Sequence, residues 1–169
     1  YLHEMLYAVM QGYDAVAMEA DVQVGGSDQL FNIIVAGRKL QQSVGQKPQV
    51  GMVLGILPGT DGKLRMSKTT GNHIPIGTTA SDMYGKVMSI PDYAMKAYWR
   101  LATRAGPSEL DKVECELEDG SKHPRDAKIE LAAEITGVFW GQDEARAAGE
   151  YFRKVFREQS APEEMPRVM

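Results

Sequence analysis

A chain of 169 residues that is 43% hydrophobic and 25% charged has the composition of one ordinary domain or two small ones, and this excludes a disordered segment. Lys and Arg number 19 against 23 Asp and Glu, so the formal charge of −4 excludes nucleic-acid binding by bulk charge and confines any such contact to a local patch or another part of the protein. No apolar run is long enough to predict a membrane span, and the single Cys115 cannot close an internal disulfide, which fits a reducing, cytoplasmic compartment.

The first residue is Tyr1, and the chain reads at once as helix without a signal-peptide pattern, so the expectation is an internal piece of a longer protein. Leu2, Leu6, Val9, Tyr13 and Val16 recur at three- to four-residue spacing and predict an amphipathic helix to about Ala20. Asp21 to Val24 alternates as a short strand, Gly25-Gly26-Ser27-Asp28 as a turn. Ser27 or Asp28 is placed to cap the next helix, with Leu30, Ile33, Ile34, Gly37 and Leu40 on one face. Gln49 to Leu57 predicts a second strand, ended by Pro58 and Gly59, and residues 59–73 predict a loop.

Strand, helix and strand in close succession form a crossover unit of parallel sheet. Two strands do not complete an α/β domain, so the expected class is α/β: the second half of a parallel-sheet domain, followed by an α-helical domain. Helices are predicted near 81–88, 92–104, 108–118, 125–140 and 142–159, with Pro107 and Pro124 as helix-start prolines. The last is expected to bury Ala147, Ala148, Tyr151, Phe152, Val155 and Phe156. Residues 160–169, with two prolines, read as a linker.

Three groups of residues carry possible chemistry. Gly25-Gly26-Ser27-Asp28-Gln29 lies where the ligand crevice of a parallel sheet falls. Glycine admits a ligand close to the backbone, and an Asp accepts two hydrogen bonds from a ribose diol, although a tight turn with an Asp cap explains the same residues. Tyr7, Gln11 and Asp14 are spaced to share one helix face, where they either face a ligand or are satisfied within the core; a buried Asp14 would need a partner. Lys63, Arg65 and Lys68 put three cations in six residues of a loop, as a clamp on phosphate or as a solvated basic loop. His3, His73, His123 and Cys115 show no metal-ligand spacing.

Taken in order, Tyr7-x-x-x-Gln11-x-x-Asp14, Gln23-Val-Gly-Gly-Ser-Asp-Gln29 and Arg65-Met-Ser-Lys-Thr69 closely resemble a bacterial-type tyrosyl-tRNA synthetase, a class I aminoacyl-tRNA synthetase. Phe31-Asn32, Asp61-Gly62, Gly71-Asn72, Met83-Tyr-Gly-Lys86, Met88-Ser-Ile-Pro-Asp92 and His123-Pro124 extend the likeness over nearly the whole chain. The resemblance implies a Rossmann-like catalytic domain, here its C-terminal half over 1–78. It further implies a helical domain over 79–159 that meets the tRNA anticodon stem, and a linker over 160–169 towards an absent RNA-binding domain. It implies that L-tyrosine and ATP, with Mg2+ in the substrate complex and no tightly bound cofactor, give tyrosyl-adenylate, and that tyrosine then passes to tRNA(Tyr). Homodimers and a cytoplasmic location are implied as well.

Residue by residue, Tyr7, Gln11, Asp14 and Gln23 match the tyrosine pocket. Gly26, Asp28 and Gln29 match the adenylate and ribose contacts. Arg65, Met66, Ser67, Lys68 and Thr69 match the lysine-methionine-serine-lysine-serine signature, with Lys68 as the phosphate-binding lysine and Arg65 at the first basic position. The His-x-Gly-His signature is absent, so the chain alone is expected to be inactive. Leu30 replaces the Trp of many members and, followed by Phe31-Asn32, points to one branch of the family. Two alternatives stand beside this reading: tryptophanyl-tRNA synthetase, the sister family, and a non-catalytic synthetase-derived module that binds RNA or a protein.

Overall fold

The computed structural model describes residues 2–157, apart from the side chains of Leu2, His3, Met5 and Arg157. The linker expected over 160–169 and the end of the last helix, 158–159, lie outside the described residues. Contacts gather the chain into two compact units, one through Ile56 and one from Leu57 onward.

The first unit contains the crossover. Helix α1 (Leu2–Ala17) leads into β1 (Val22–Gly26), then a 3-10 turn (Ser27–Gln29), a π-helical stretch (Phe31–Gly37), α2 (Arg38–Ser43) and β2 (Val50–Leu54). The strands pair in parallel, with Val22 opposite Val50 and Gly26 opposite Leu54. Helix α1 ends where Glu19 takes a left-handed φ of 49° and the Ala20 N–H returns to the Ala15 carbonyl at 3.0 Å, a six-residue closure that satisfies a terminal acceptor.

Burial in this unit departs from the periodicity. Leu6, Val9 and Tyr13 are exposed, and α1 buries Gly12 and Ala15 instead, because small residues let it lie close to the π-helical segment. Leu30 is also exposed, while Ile33 and Gly37 are buried. Ile34 and Leu40 are half-buried, so the predicted face holds apart from Leu30, which precedes the π-helical stretch. Gly26, rather than Ser27 or Asp28, occupies the cap position of the 3-10 turn. The strands turn Gly25 and Gly51 toward the π-helical segment that lies between them in sequence: a Cβ on Gly51 would fall 2.6 Å from Ile34 Cδ1 and 2.8 Å from Ile33 Cγ2.

The second unit is helical apart from its opening loop. Helices α3 (Ala80–Met88), α4 (Met95–Ala102), α5 (Pro107–Glu118), α6 (Pro124–Trp140) and α7 (Gln142–Arg157) follow, with a 3-10 turn at Asp92–Ala94 where the sequence predicts the start of one longer helix. Thr79 Oγ1 caps α3 by accepting from the Asp82 N–H at 3.2 Å, and Pro107 and Pro124 open their helices as expected. Met83, Val87, Ile90, Met95, Tyr98, Leu131 and Ile135 form a continuous buried core. Helix α7 meets it through Ala148 and the half-buried Phe152, and buries Ala145 on the same face. Ala147 and Tyr151, expected inside, lie off that face and are exposed; Phe156 lies on it, stacked on Phe152 with ring centroids 4.5 Å apart, but is exposed.

Candidate functional site

In the first unit, one groove of about 510 Å³ is lined by Tyr7, Gln11 and Asp14 of α1, Gln23 of β1 and Gln29 of the following turn. The spacing of α1 brings its three polar residues to this groove, as expected. Asp14 and Tyr7 are exposed, while Gln11, Gln23 and Gln29 are half-buried. The Asp14 carboxylate is thus hydrated here and needs no internal partner.

The groove's amides are held in fixed orientations by residues behind them. Asn32 Nδ2 donates to Gln11 Oε1 at 3.1 Å and to Gln29 Oε1 at 3.2 Å, and Gln29 Nε2 donates to Asp28 Oδ2 at 3.3 Å. One Asn therefore ties the helix end of the groove to the Gly26-Ser27-Asp28-Gln29 turn. Gly26 ends β1 without a Cβ, which would otherwise fall 2.6 Å from Asp28 Oδ1.

A second chain of amides stands behind Gln23. Buried Gln49 donates from Nε2 to Gln23 Oε1 at 2.6 Å and to the Ile33 carbonyl at 3.2 Å. The Gln49 N–H donates to Oε1 of buried Gln41 at 2.7 Å, and Gln41 Nε2 donates to the Ala20 carbonyl at 2.9 Å. With its side-chain oxygen accepting from Gln49, Gln23 has two amide hydrogens and one further lone pair to offer a ligand. Sequence reasoning misses Gln41 and Gln49. Gly37 is the available signal, since a Cβ there would lie 2.4 Å from Gln49 Nε2.

The second unit carries the basic loop. Residues 57–59 fold back on 64–66: Pro58 and Arg65 form an antiparallel bridge, the Gly59 N–H donates to the Leu64 carbonyl at 2.7 Å and the Met66 N–H to the Leu57 carbonyl at 3.2 Å. Met66 packs against the helical core, Ser67 is half-buried, and Lys63, Arg65 and Lys68 are exposed. Asp61 Oδ1 accepts from the N–H groups of Lys63 at 2.7 Å and Leu64 at 2.9 Å. The Asn72 amide, the two backbone N–H groups and the Lys63 charge together hold the Asp61 carboxyl below the ordinary Asp value. Tyr98, fully buried, donates to the Pro58 carbonyl at 2.9 Å and anchors the base of the loop. Its burial, and secondarily the Asp61 charge, push its phenol up to about 12.

The chemistry available is therefore a groove of oriented amides and one carboxylate, together with a loop that presents three cations. Among the described residues, no group of three or more His, Cys, Asp or Glu could hold a metal ion.

Comparison with known proteins matches residues 1–157 to the family described as tRNA synthetases class I (W and Y). The tyrosine–tRNA ligase of Thermotoga maritima is 46% identical over 99% of this chain and 41% of its own length; that of Moorella thermoacetica is 47% identical over 99% and 40%. The chain thus spans about two-fifths of the length of the curated relatives it matches. Among solved structures, a C-terminally truncated mitochondrial tyrosyl-tRNA synthetase of Aspergillus nidulans aligns with a TM-score of 0.60 at 26% identity, over 92% of this chain and 46% of that one. The tyrosyl-tRNA synthetase of Archaeoglobus fulgidus, solved with L-tyrosine, aligns with a TM-score of 0.65 at 22% identity, over 88% and 53%, a likeness of fold. The fold is α/β of the class I synthetase kind, with a parallel two-stranded sheet and helices.

Proposed function

This chain belongs to the class I tRNA synthetases (W and Y), and we propose that it is part of a tyrosine–tRNA ligase, which joins L-tyrosine and ATP into tyrosyl-adenylate and passes tyrosine to tRNA(Tyr). The observation that carries the reading is the convergence of Tyr7, Gln11, Asp14 and Gln23 on one groove. The names of the curated relatives support the tyrosine branch.

In this reading the groove holds the amino acid. Asp14 accepts the phenol hydroxyl. Tyr7 and Gln11 accept from the α-ammonium, Gln11 with the lone pair that Asn32 leaves unused. Gly26, Asp28 and Gln29 take the adenylate, with Asp28 on the ribose hydroxyls. ATP arrives with Mg2+ as a substrate complex.

The reaction needs no general base, because the tyrosine carboxylate is ionised at neutral pH. That carboxylate attacks the α-phosphorus, the bond to the bridging oxygen breaks, and pyrophosphate leaves. Catalysis is then positioning and stabilisation of phosphate charge. Lys68 and Arg65 supply that charge from a loop that also contributes Met66 and Ser67 to the nucleotide. The division into a catalytic half over 1–78 and an anticodon-stem domain over 79–159, the homodimer and the cytoplasmic location belong to the same proposal.

The test is amino-acid selectivity in the whole enzyme that carries this sequence. ATP–pyrophosphate exchange is expected to depend on tyrosine rather than tryptophan. Asp14→Ala is expected to cost tyrosine activation about 1–3 kcal/mol through the lost acceptor, with a smaller loss for phenylalanine. An unchanged tyrosine-to-phenylalanine ratio would remove Asp14 from the pocket. Tryptophan-dependent exchange would move the chain to the sister branch.

A further inference from the structure

The basic loop contains no regular strand or helix, and one buried side chain knots it together. Asn72 is 7% exposed. Its Oδ1 accepts from the Ser67 N–H at 2.8 Å and from Thr70 Oγ1 at 2.7 Å. Its Nδ2 donates to Asp61 Oδ2 at 2.8 Å and to the Arg65 carbonyl at 3.3 Å. Its main-chain carbonyl accepts from the Thr60 N–H at 2.8 Å. The Ser67 N–H requires the amide oxygen on its side and the Asp61 carboxylate requires the amide nitrogen on the other, so the group fits only one way round; the Thr70 hydroxyl shares its one hydrogen with the Ser67 carbonyl at 3.1 Å.

The space for it is made by Gly59. A Cβ there would fall 2.1 Å from Asn72 Nδ2 and 2.3 Å from Cγ. The two ties to the signature are to main chain, at Arg65 and Ser67, while the charged ends of Arg65 and Lys68 remain exposed. The amide thus fixes the path of the backbone immediately before Lys68.

We propose that Asn72, seated against Gly59, is the positioning residue that sets Lys68 for the departing pyrophosphate. This deepens the functional reading above and rests on it. Asn72 touches no reacting atom, and its contribution passes through Lys68. A lysine offset by about 1 Å from the phosphate oxygens stabilises their charge far less, and such misplacements cost up to about 10²-fold in rate.

The experiment is single-turnover tyrosyl-adenylate formation by the whole enzyme, with tyrosine affinity and thermal midpoint measured on each variant. Asn72→Ala is expected to slow adenylation about tenfold or more while leaving tyrosine affinity within about twofold. Gly59→Ala is expected to produce the same defect without deleting any hydrogen-bonding group, and to add little once Asn72 is already Ala. Lys68→Ala is expected to lose roughly 10²–10³. In that background Asn72→Ala is expected to add less than about twofold, because two residues acting as one unit do not add. Thr70→Val keeps the Asn72 amide while removing the hydroxyl that reaches its Oδ1 and, at 3.1 Å, the Ser67 carbonyl, and it keeps the test open where Asn72→Ala folds poorly; it is expected to show a smaller loss with the same dependence on Lys68.

If Asn72→Ala or Thr70→Val slows the Lys68→Ala enzyme by the same factor as the unmutated one, the proposal fails, since the effect does not pass through Lys68. An unchanged rate in Asn72→Ala overturns it equally. If the unmutated enzyme makes no tyrosine-dependent adenylate, the functional reading itself falls, an outcome distinct from additivity in an active enzyme.

Discussion

The two units distribute their large apolar residues in opposite ways. In the helical unit Met83, Val87, Ile90, Met95, Tyr98 and Leu131 are inside a single core. In the sheet unit Leu6, Val9, Met10, Tyr13, Val22, Val24, Val50, Met52 and Leu54 are exposed, and Ala15 and Ile33 are the buried hydrophobics among its described residues. The strands show why: the faces with Gln23 and Gly25 and with Gly51 and Val53 are the half-buried ones, while Val22 and Val24 and Val50, Met52 and Leu54 are exposed. An apolar face of that extent marks an interaction surface or an aggregation liability. The difference teaches that one contiguous chain can hold a region whose stability is internal beside one whose side chains gain little from this chain's own folding.

Equivalent truncations in the two units sharpen that contrast most. Leu131→Ala removes a fully buried side chain from the helical core and is expected to cost about 2–5 kcal/mol. Val50→Ala trims a side chain that is 61% exposed and is expected to stay within about 0.5 kcal/mol. Denaturant unfolding of each variant, followed through the helical signal, measures both. Equal losses would mean that the valine face is covered in solution and that the contrast is wrong.

A smaller effect is expected at the base of the basic loop. Tyr98→Phe leaves the Pro58 carbonyl without its donor and is expected to cost about 0.5–1.5 kcal/mol. The pH dependence carries a definite sign. Burial raises the folded-state phenol to about 12 from the ordinary 10.0, so Tyr98's contribution is complete below pH 10 and is lost as pH rises toward 12. Tyr98→Phe is expected to flatten the alkaline limb of the stability curve, and an unaltered limb would place the titration elsewhere.

How much was legible in the sequence divides along the same line. The parallel crossover, the five helices and the prolines that start two of them follow from local patterns, and local patterns hold in both units. Period alone gives an apolar face but not what that face meets. Leu6, Val9 and Tyr13 form a correct stripe on α1, yet the contact is made by Gly12 and Ala15. On α7, Ala147 and Tyr151 are apolar like Ala148 and Phe152, and only the packing partner sets which of them face the core. The residues that line the groove were readable because two of the three ordered motifs contain them, Tyr7 to Asp14 and Gln23 to Gln29. Gln41 and Gln49 were not, because an amide's role depends on partners distant in sequence, as with Asn32 and Gln11, 21 residues apart. Asn72 stood in the sequence as part of a Gly-Asn pair, with nothing local to indicate that its amide would meet Asp61 and Arg65.

The smallest expected effect separates the units by the chemistry of their polar networks. The chain that holds Gln23 runs through Gln49 and Gln41, and these three amides do not titrate. The loop of the helical unit is knotted through a carboxylate. Asp61 is held below the ordinary 3.8 first by the Asn72 amide, then by the Lys63 and Leu64 N–H groups, and by the Lys63 charge. A depressed carboxyl contributes stability that is complete above its unfolded value and is lost as pH falls through the folded one. The loop is therefore expected to hold its geometry above about pH 5 and to loosen only in the acid range below the ordinary Asp value, while the Gln23 amide keeps its partner. Carboxyl and amide NMR titration measures both sites in one sample. Asn72→Ala removes the largest cause and is expected to move the Asp61 titration upward toward 3.8, carrying the Lys63 and Leu64 amide shifts with it. A midpoint that stays put in that variant would show that the backbone N–H groups alone hold the charge, and that Asn72 secures the loop through Arg65 and Ser67 without the help of Asp61.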